Sequence, residues 1–331
     1  MEVINEVDLS PFSTMGVWAT AKKFGIIRQI SDWDYLITNK QIPSLILGGG
    51  SNVLFIHENQ DFVVKNEIVG KKIIQEDENH ITIEVGSGEI WHDFVMWTLK
   101  KGYGGLENLA LIPGTAGAAP IQNIGAYGVE QKDCFIALTY IDLTTGKRHE
   151  LSKKNCQFAY RNSIFKHQLK GKAAILSVRY QLTKKKHCIR IDHGGLAQEL
   201  QGEATPENIA HTVIKIRQQK LPDPKKLGNA GSFFKNPLVT NQHFKTLVEQ
   251  YPSIPHFKQD EMVKIPAAWL IESCGWKGHR CNDIGVSPNH ALILVNYGKG
   301  TGKEIKKLAE KIIQSVKEKF AIELVPEVSF V

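Results

Sequence analysis

Residues 102–128 read GYGGLENLALIPGTAGAAPIQNIGAYG. The stretch carries Gly102, Gly104, Gly105, Gly114, Gly117, Gly125 and Gly128, with Glu107 as its single charged residue. A pyrophosphate needs several backbone N–H donors and no side chain in the way, and glycine-rich loops supply both. Ala116, Ala118, Ala119 and Ala126 keep the rest of the segment small, as a flat aromatic ring at close approach requires. Gln122, Asn123 and Tyr127 can hydrogen-bond or cover such a ring. A run of ordinary tight turns is the competing reading of the same glycines.

A second glycine loop lies upstream. Leu45-Ile46-Leu47 reads as a short buried strand entering Gly48-Gly49-Gly50-Ser51-Asn52, and Val53-Leu54-Phe55 resumes the strand character. Neither loop is a Rossmann fingerprint. Gly48-Gly49-Gly50 has Val53 where the third glycine belongs, and Gly86-Ser87-Gly88 has Trp91 there. The sequence also lacks a Walker loop, a nucleophile elbow and a zinc-protease helix. The five cysteines are widely spaced and form no C-x-x-C, so neither a disulfide framework nor a metal site is expected.

Further out, strands and helices alternate irregularly, which gives an α+β or α/β class. Ile81, Ile83 and Val85 alternate with polar residues, as do Leu176, Val178, Tyr180 and Leu182, and both read as half-buried strands. Ile90, Trp91, Phe94, Val95 and Thr98 mark one helical face. Residues 19–30 read as a short helix with Lys22, Lys23 and Arg28 outward. Ile209, Val213 and Ile216 mark a helix closing on Arg217 and Lys220, stopped by Pro222 and Pro224. Ala291–Val295 reads as a buried strand, and Ile305 to Phe320 as the clearest amphipathic helix. A last strand is expected over Ile322–Val331, with Pro326 marking an edge or bulge.

Hydrophobic residues make up 42% and charged residues 23%, the mix of a globular protein rather than a disordered one. The net charge of +7 is mild and dispersed, which suits an anionic small molecule and argues against nucleic acid. No apolar run approaches a membrane span, and Met1–Ser10 carries acids rather than a basic region before an apolar one. A soluble, cytoplasmic, monomeric protein is expected.

Three further segments carry candidate chemistry. Tyr160-Arg161-Asn162-Ser163 offers a guanidinium, although a lone arginine is more often a surface ion-pair member. Lys220-Leu221-Pro222-Asp223-Pro224 precedes Gly228-Asn229-Ala230-Gly231-Ser232-Phe233-Phe234-Lys235-Asn236-Pro237, where small residues lead into Ser232. A cap or turn is the commoner fate of such a serine. Pro326-Glu327-Val328 places a carboxylate on the expected last strand.

Taken in order, these segments resemble the UDP-N-acetylenolpyruvoylglucosamine reductase family, type I form. The resemblance runs from Gly48 to Val328 and is most specific in GLENLALIPGTAGAAPIQNIGAYGVE, GNAGSFFKNP and the final PEV. It implies a two-subdomain FAD-binding domain of the vanillyl-alcohol-oxidase (PCMH) type plus an α/β substrate-binding domain. The implied boundaries are 1–70 for the first FAD subdomain with 321–331 returning to it, 71–205 for the second, and 206–320 for the substrate domain.

The resemblance implies FAD as cofactor, NADPH as co-substrate and the enolpyruvyl ether of UDP-N-acetylglucosamine as substrate. Catalytic roles fall on Arg161, Ser232 and Glu327. FAD contacts fall on Gly48, Gly49, Gly50, Ser51, Asn52, Val53, Pro113, Gly114, Thr115, Gly117, Ala118, Gln122, Asn123, Gly125, Ala126 and Tyr127. Substrate contacts fall on Lys220, Asn236, Lys264, His193 and His290. Two positions depart from the family pattern: His193 and Phe257 each stand where tyrosine is usual. The competing readings are another flavin oxidoreductase of the same binding fold, and a colourless UDP-sugar- or RNA-binding protein.

Overall fold

A computed structural model describes residues 1–259 and 261–331. The chain divides into two compact units, each discontinuous in sequence. The first comprises Met1–Val7, Thr20–Gly50 and Asn59–Gln218; the second comprises Asp8–Ala19, Ser51–Glu58 and Gln219–Val331.

The first unit contains two sheets. One runs in the order Val3–Asp8, Thr20–Ile27, Asn59–Asn66, Leu45–Leu47, with Asn59–Asn66 parallel to both of its last-named neighbours. The other is a five-stranded antiparallel sheet in the order Arg148–Ser152, Phe135–Asp142, Ala173–Thr183, His80–Gly86, Lys71–Glu76. Its central register sets Val85 opposite Val178, Ile83 opposite Tyr180 and Ile81 opposite Leu182. The two alternating patterns in the sequence therefore meet on one buried face. The helix Trp91–Lys100 buries Trp91, Phe94, Val95, Thr98 and Leu99. Trp91 and Phe94 lie 5.7 and 5.8 Å from the ring of Tyr180. The helix Pro206–Lys220 adds Ile209, Ala210, Val213 and Ile216 to the same core.

One element differs in kind from its sequence reading. Residues 19–30 do not form a helix: Thr20–Ile27 is a strand, and the helix begins only at Ile30. Ala21, Phe24 and Ile27 have helical spacing, yet burial along the strand is irregular, with Phe24 and Gly25 both enclosed. Parallel pairing with Asn59–Asn66 overrides the local pattern. The true helix start carries a capping box between Gln29 and Asp32.

The second unit is built on a four-stranded sheet in the order Gly228–Ser232, Ile293–Asn296, Ile284–Val286, Arg280–Cys281. A three-stranded sheet orders Leu238–Thr240, Met262–Lys264 and Phe257–Gln259. The helix Gly302–Phe320 opens on a Thr301–Glu304 capping box and buries Ile305, Leu308, Ala309, Ile312, Val316 and Phe320. The expected last strand is much shorter than its apolar pattern. Only Ser329–Phe330 forms a strand, parallel to Val53–Leu54, preceded by an isolated bridge between Pro326 and Phe234. Proline at 326 has no N–H to extend a ladder. Among the described residues no helix is long and apolar enough to cross a membrane, and no cluster of His, Cys, Asp and Glu could hold a metal ion.

Candidate functional site

Gly48-Gly49-Gly50 and Gly114-Thr115 meet back to back in the first unit. A Cβ on Gly49 would lie 2.8 Å from Gly114 Cα, and one on Gly48 would lie 2.5 Å from Thr115 Oγ1. Glycine is required at 49 because main chain approaches main chain, and at 48 because the Thr115 side chain lies against it. Gly117 is fixed similarly: its N–H donates to Ser87 O at 2.8 Å, and its Cβ would strike Ser87. Among the described residues, the amides of Gly49, Gly50, Gly114 and Thr115 find no backbone carbonyl acceptor. Gly50 is left-handed at φ 61° and Gly114 stands at φ 113°. Two closely packed loops with open N–H groups form an anion cradle, which fits the pyrophosphate of a dinucleotide.

The same loop grips Arg161. Arg161 Nη2 donates to Gly125 O at 2.6 Å, and Ser163 Oγ donates to Ile121 O at 2.6 Å. Asn123 completes the attachment from within. Its Nδ2 donates to Ala159 O at 3.1 Å and to Glu130 Oε2 at 2.9 Å, while its Oδ1 accepts from Gln131 Nε2 and Lys132 N. Gln131 in turn accepts from the Tyr180 hydroxyl at 3.0 Å. Asn123 is fully buried, so its side chain organises the site from below. Asn123, Tyr127 and Arg161 are all left-handed, at φ 47°, 47° and 52°. Such conformations persist where the surroundings over-determine them, commonly at binding sites.

Of the other expected cofactor contacts in this unit, Gln122, Ala126 and Tyr127 are half-buried on the loop, Ala118 lies beside Gly48, and Pro113 is exposed. His193 is exposed, on a loop whose side chains lie against Tyr127 and Gly128. A Cβ on Gly194 would sit 2.7 Å from the Tyr127 ring, and one on Gly128 would collide with His193.

Ser232 and Glu327 lie together in the second unit. Ser232 ends the strand Gly228–Ser232 and is exposed, opposite Ile293. Phe233 O accepts from Glu327 N at 2.8 Å. The serine's approach is set by Asn229, which is buried and donates to Pro222 O and Leu227 O while accepting from Gly231 N at 3.0 Å. Asn52 Nδ2 donates to Glu327 O, and Ser51 and Val53 flank it on the same loop.

The expected substrate contacts in this unit are cations and amides. Lys264 stands directly opposite Phe257 across a strand pair. Asn236 Oδ1 accepts from Ala267 N at 2.9 Å, which leaves Nδ2 as the side chain's donor. His290 Nδ1 accepts from Leu292 N at 3.2 Å, so the neutral ring carries its proton on Nε2. Burial lowers the pKa of His290, and Lys220 and Lys277 act in the same direction against Glu272.

Sequence reasoning missed Arg217. It lies four residues after buried Val213 on the helix Pro206–Lys220, and its Nε is enclosed without a hydrogen-bond partner. Burial lowers its pKa, and Tyr127 opposes that shift. The available signal was an arginine in register with Val213, on the face that packs into the core.

Two family models match the chain: an FAD binding domain over residues 29–152, and the C-terminal domain of UDP-N-acetylenolpyruvoylglucosamine reductase over residues 223–331. UDP-N-acetylenolpyruvoylglucosamine reductase of Flavobacterium johnsoniae is 42% identical, covering 100% of both chains. That of Chromobacterium violaceum is 43% identical, covering 97% of each. The crystal structure of the Thermus caldophilus reductase shares the fold with a TM-score of 0.69 at 22% identity, covering 99% of this chain and 98% of that one.

Proposed function

The chain belongs to the UDP-N-acetylenolpyruvoylglucosamine reductase family, and from that premise we propose that Arg161, Ser232 and Glu327 carry the family's reaction here. The protein is an FAD-dependent oxidoreductase that uses NADPH to reduce UDP-N-acetylglucosamine enolpyruvate to UDP-N-acetylmuramate, in peptidoglycan precursor synthesis. The observation that carries this reading is the cradle of open amides at Gly49, Gly50, Gly114 and Thr115, within the segment that matches an FAD-binding domain. The α+β class and FAD-binding architecture are those expected from sequence.

FAD, when bound, supplies the redox chemistry, accepting a hydride from NADPH and delivering one to the terminal vinyl carbon of the substrate. The amides of the two glycine loops would hold its pyrophosphate. Arg161 donates hydrogen bonds to the negative charge that spreads into the substrate carboxylate, where a water-excluded setting makes such contacts strong. Glu327 would have to be protonated to help rather than repel the developing negative charge. Ser232 gives its hydroxyl proton to the carbanionic carbon as general acid. Lys220, Lys264, Asn236, His193 and His290 bind the UDP-sugar; the cations suit the diphosphate, and Nδ2 of Asn236 and Nε2 of His290 are directed donors.

In this reading residues 1–70, joined by 321–331, and residues 71–205 form the two FAD subdomains, and 206–320 the substrate domain. The helix Pro206–Lys220 lends its apolar face to the cofactor-side core. The enzyme works as a cytoplasmic monomer without nucleic acid or membrane. The test is spectroscopic. The purified protein should absorb near about 450 nm, bleach with NADPH, and regain colour on addition of the enolpyruvyl substrate without oxygen. Recovery by oxygen alone would indicate an oxidase, and a colourless protein that takes up no FAD would refute the reading.

A further inference from the structure

We propose that His92 is a positioning residue of the cofactor site: its Nδ1 lone pair holds the turn at Leu111 that leads to the open amides of Gly114 and Thr115, and protonation of that nitrogen loosens FAD. The inference deepens, and rests on, the reading that those amides hold the cofactor's pyrophosphate.

The segment Leu109–Thr115 is tied to the first turn of the helix Trp91–Lys100. Trp91 Nε1 donates to Leu109 O at 3.0 Å, Trp91 N donates to Gly114 O at 3.0 Å, and Ile90 forms an isolated bridge with Thr115. A further tie runs the other way: Leu111 N donates to His92 Nδ1 at 3.0 Å. Among the described residues Leu111 N finds no backbone carbonyl acceptor, so the imidazole is its partner. Leu111 is left-handed at φ 58°, a conformation that costs a side-chain-bearing residue about 1–2 kcal/mol. It persists because its surroundings hold it. Gly114 follows three residues later, so a shift at Leu111 is carried by the chain to the cradle.

Of these ties, the one at His92 depends on protonation. The N–H groups of Trp91 remain donors throughout the physiological range. The neutral imidazole accepts at Nδ1 and carries its proton on Nε2, whereas the imidazolium bears protons on both nitrogens and has no lone pair for Leu111. Burial lowers the His92 pKa from the ordinary 6.5; Asp93 on the same helix raises it, and Arg217 on the helix Pro206–Lys220 lowers it. On the glycine-rich segment the single charge, Glu107, accepts from Gly105 N at 2.6 Å. Burial also raises the pKa of the Tyr127 phenol, which stays neutral. The tie is therefore intact at neutral pH and is lost as pH falls through a value below 6.5. An imidazolium also attracts a pyrophosphate. That attraction tightens binding as pH falls and is screened by salt, whereas loss of the Leu111 bond weakens binding and is not screened.

The experiment compares the full-length protein with His92→Asn, which keeps an acceptor in the place of Nδ1 and cannot titrate, and His92→Phe, which keeps a ring without the acceptor. FAD dissociation constants are read from flavin fluorescence, beside melting temperatures of the FAD-free proteins, between about pH 8 and about pH 5 at about 0.15 M salt. The wild-type dissociation constant should rise about 10-fold over that range. That of His92→Asn should change less than about twofold, and that of His92→Phe should stand about 10-fold high throughout. Parallel melting temperatures in wild type and His92→Asn separate the effect from loss of fold, and this pair suffices should His92→Phe not fold. A flat wild-type profile, tighter binding at lower pH, or the same decline in His92→Asn would overturn the proposal. Failure of the wild-type protein to take up FAD at about pH 8, or wild-type affinity in Gly49→Ala, would instead remove the cradle on which the proposal rests.

Discussion

The side-chain amide of Asn52 donates to the backbone carbonyl of Glu327 at 3.1 Å, across 275 positions of sequence. Ser329 N returns a bond to Asn52 O at 3.0 Å, and Glu327 N donates to Phe233 O at 2.8 Å. The backbone of Glu327 is thus fixed by the segment after the first glycine loop and by the residue following Ser232. Asn52→Ala removes one of these ties and should cost about 1 kcal/mol in stability by denaturant titration. Stopped-flow traces should show normal flavin reduction by NADPH and slower transfer to the enolpyruvyl substrate.

Asn123 touches Arg161 through its backbone carbonyl, which accepts from Arg161 Nη1 at 3.5 Å, while its side chain holds Ala159 and Glu130. Asn123→Ala strands Ala159 O, Gln131 and Glu130 around a buried gap and should cost about 1–3 kcal/mol. The kinetic signature separates positioning from stability: Asn123→Ala should slow transfer to substrate in the wild-type background and add little to Arg161→Lys. Additive losses in the double variant would show that Asn123 acts independently of Arg161.

Ser232→Ala deletes the proposed acid and leaves the strand Gly228–Ser232 intact, since the exposed hydroxyl supports no fold contact described above. Flavin reduction by NADPH should remain at the wild-type rate. Transfer to substrate should slow by roughly 100- to 10,000-fold in single turnover. Equal slowing of both halves would refute the assignment.

Gly49→Ala tests the cradle. Its methyl group would lie 2.8 Å from Gly114 Cα, so the two loops must separate. The expected result is a folded protein that purifies with little flavin, seen as a collapsed ratio of absorbance near about 450 nm to protein absorbance.

His290 gives a signed pH dependence. Burial, with Lys220 and Lys277, sets its folded pKa below the ordinary 6.5. The unfolded chain therefore binds the proton more readily. The contribution to stability is fully present above the ordinary value and is lost as pH falls through the lower folded value. His290→Gln should lessen the decline in unfolding free energy between about pH 7 and about pH 5, measured by urea titration at each pH.

Much of this was legible because the informative residues repeat with a regular period or sit in glycine-dense runs. Ile305 to Phe320 and Ile81 to Val85 lie on the faces their spacing requires. The glycine loops were visible because close main-chain approach admits no other residue. The Thr20–Ile27 strand was not, because parallel pairing with a segment 39 positions away is decided by tertiary contact rather than by the spacing of Ala21, Phe24 and Ile27. The last strand was overcalled because Ile322 and Leu324 are buried without being paired in a ladder. Arg217 was hidden by its helix, where an arginine near the C-terminus reads as an ordinary solvated cation. The network around Asn123 could not be foreseen, since it joins side chains and carbonyls from four separate segments.

The parallel pairing of Val53–Leu54 with Ser329–Phe330 has a consequence for biogenesis. The two strands emerge from the ribosome 276 residues apart, a delay of roughly 14–55 s at ordinary translation speed. Throughout that interval the upstream strand has no mate and presents bare edge groups to other nascent chains. Slowed elongation, or shortage of a chaperone that shields such edges, should therefore lower the yield of native protein.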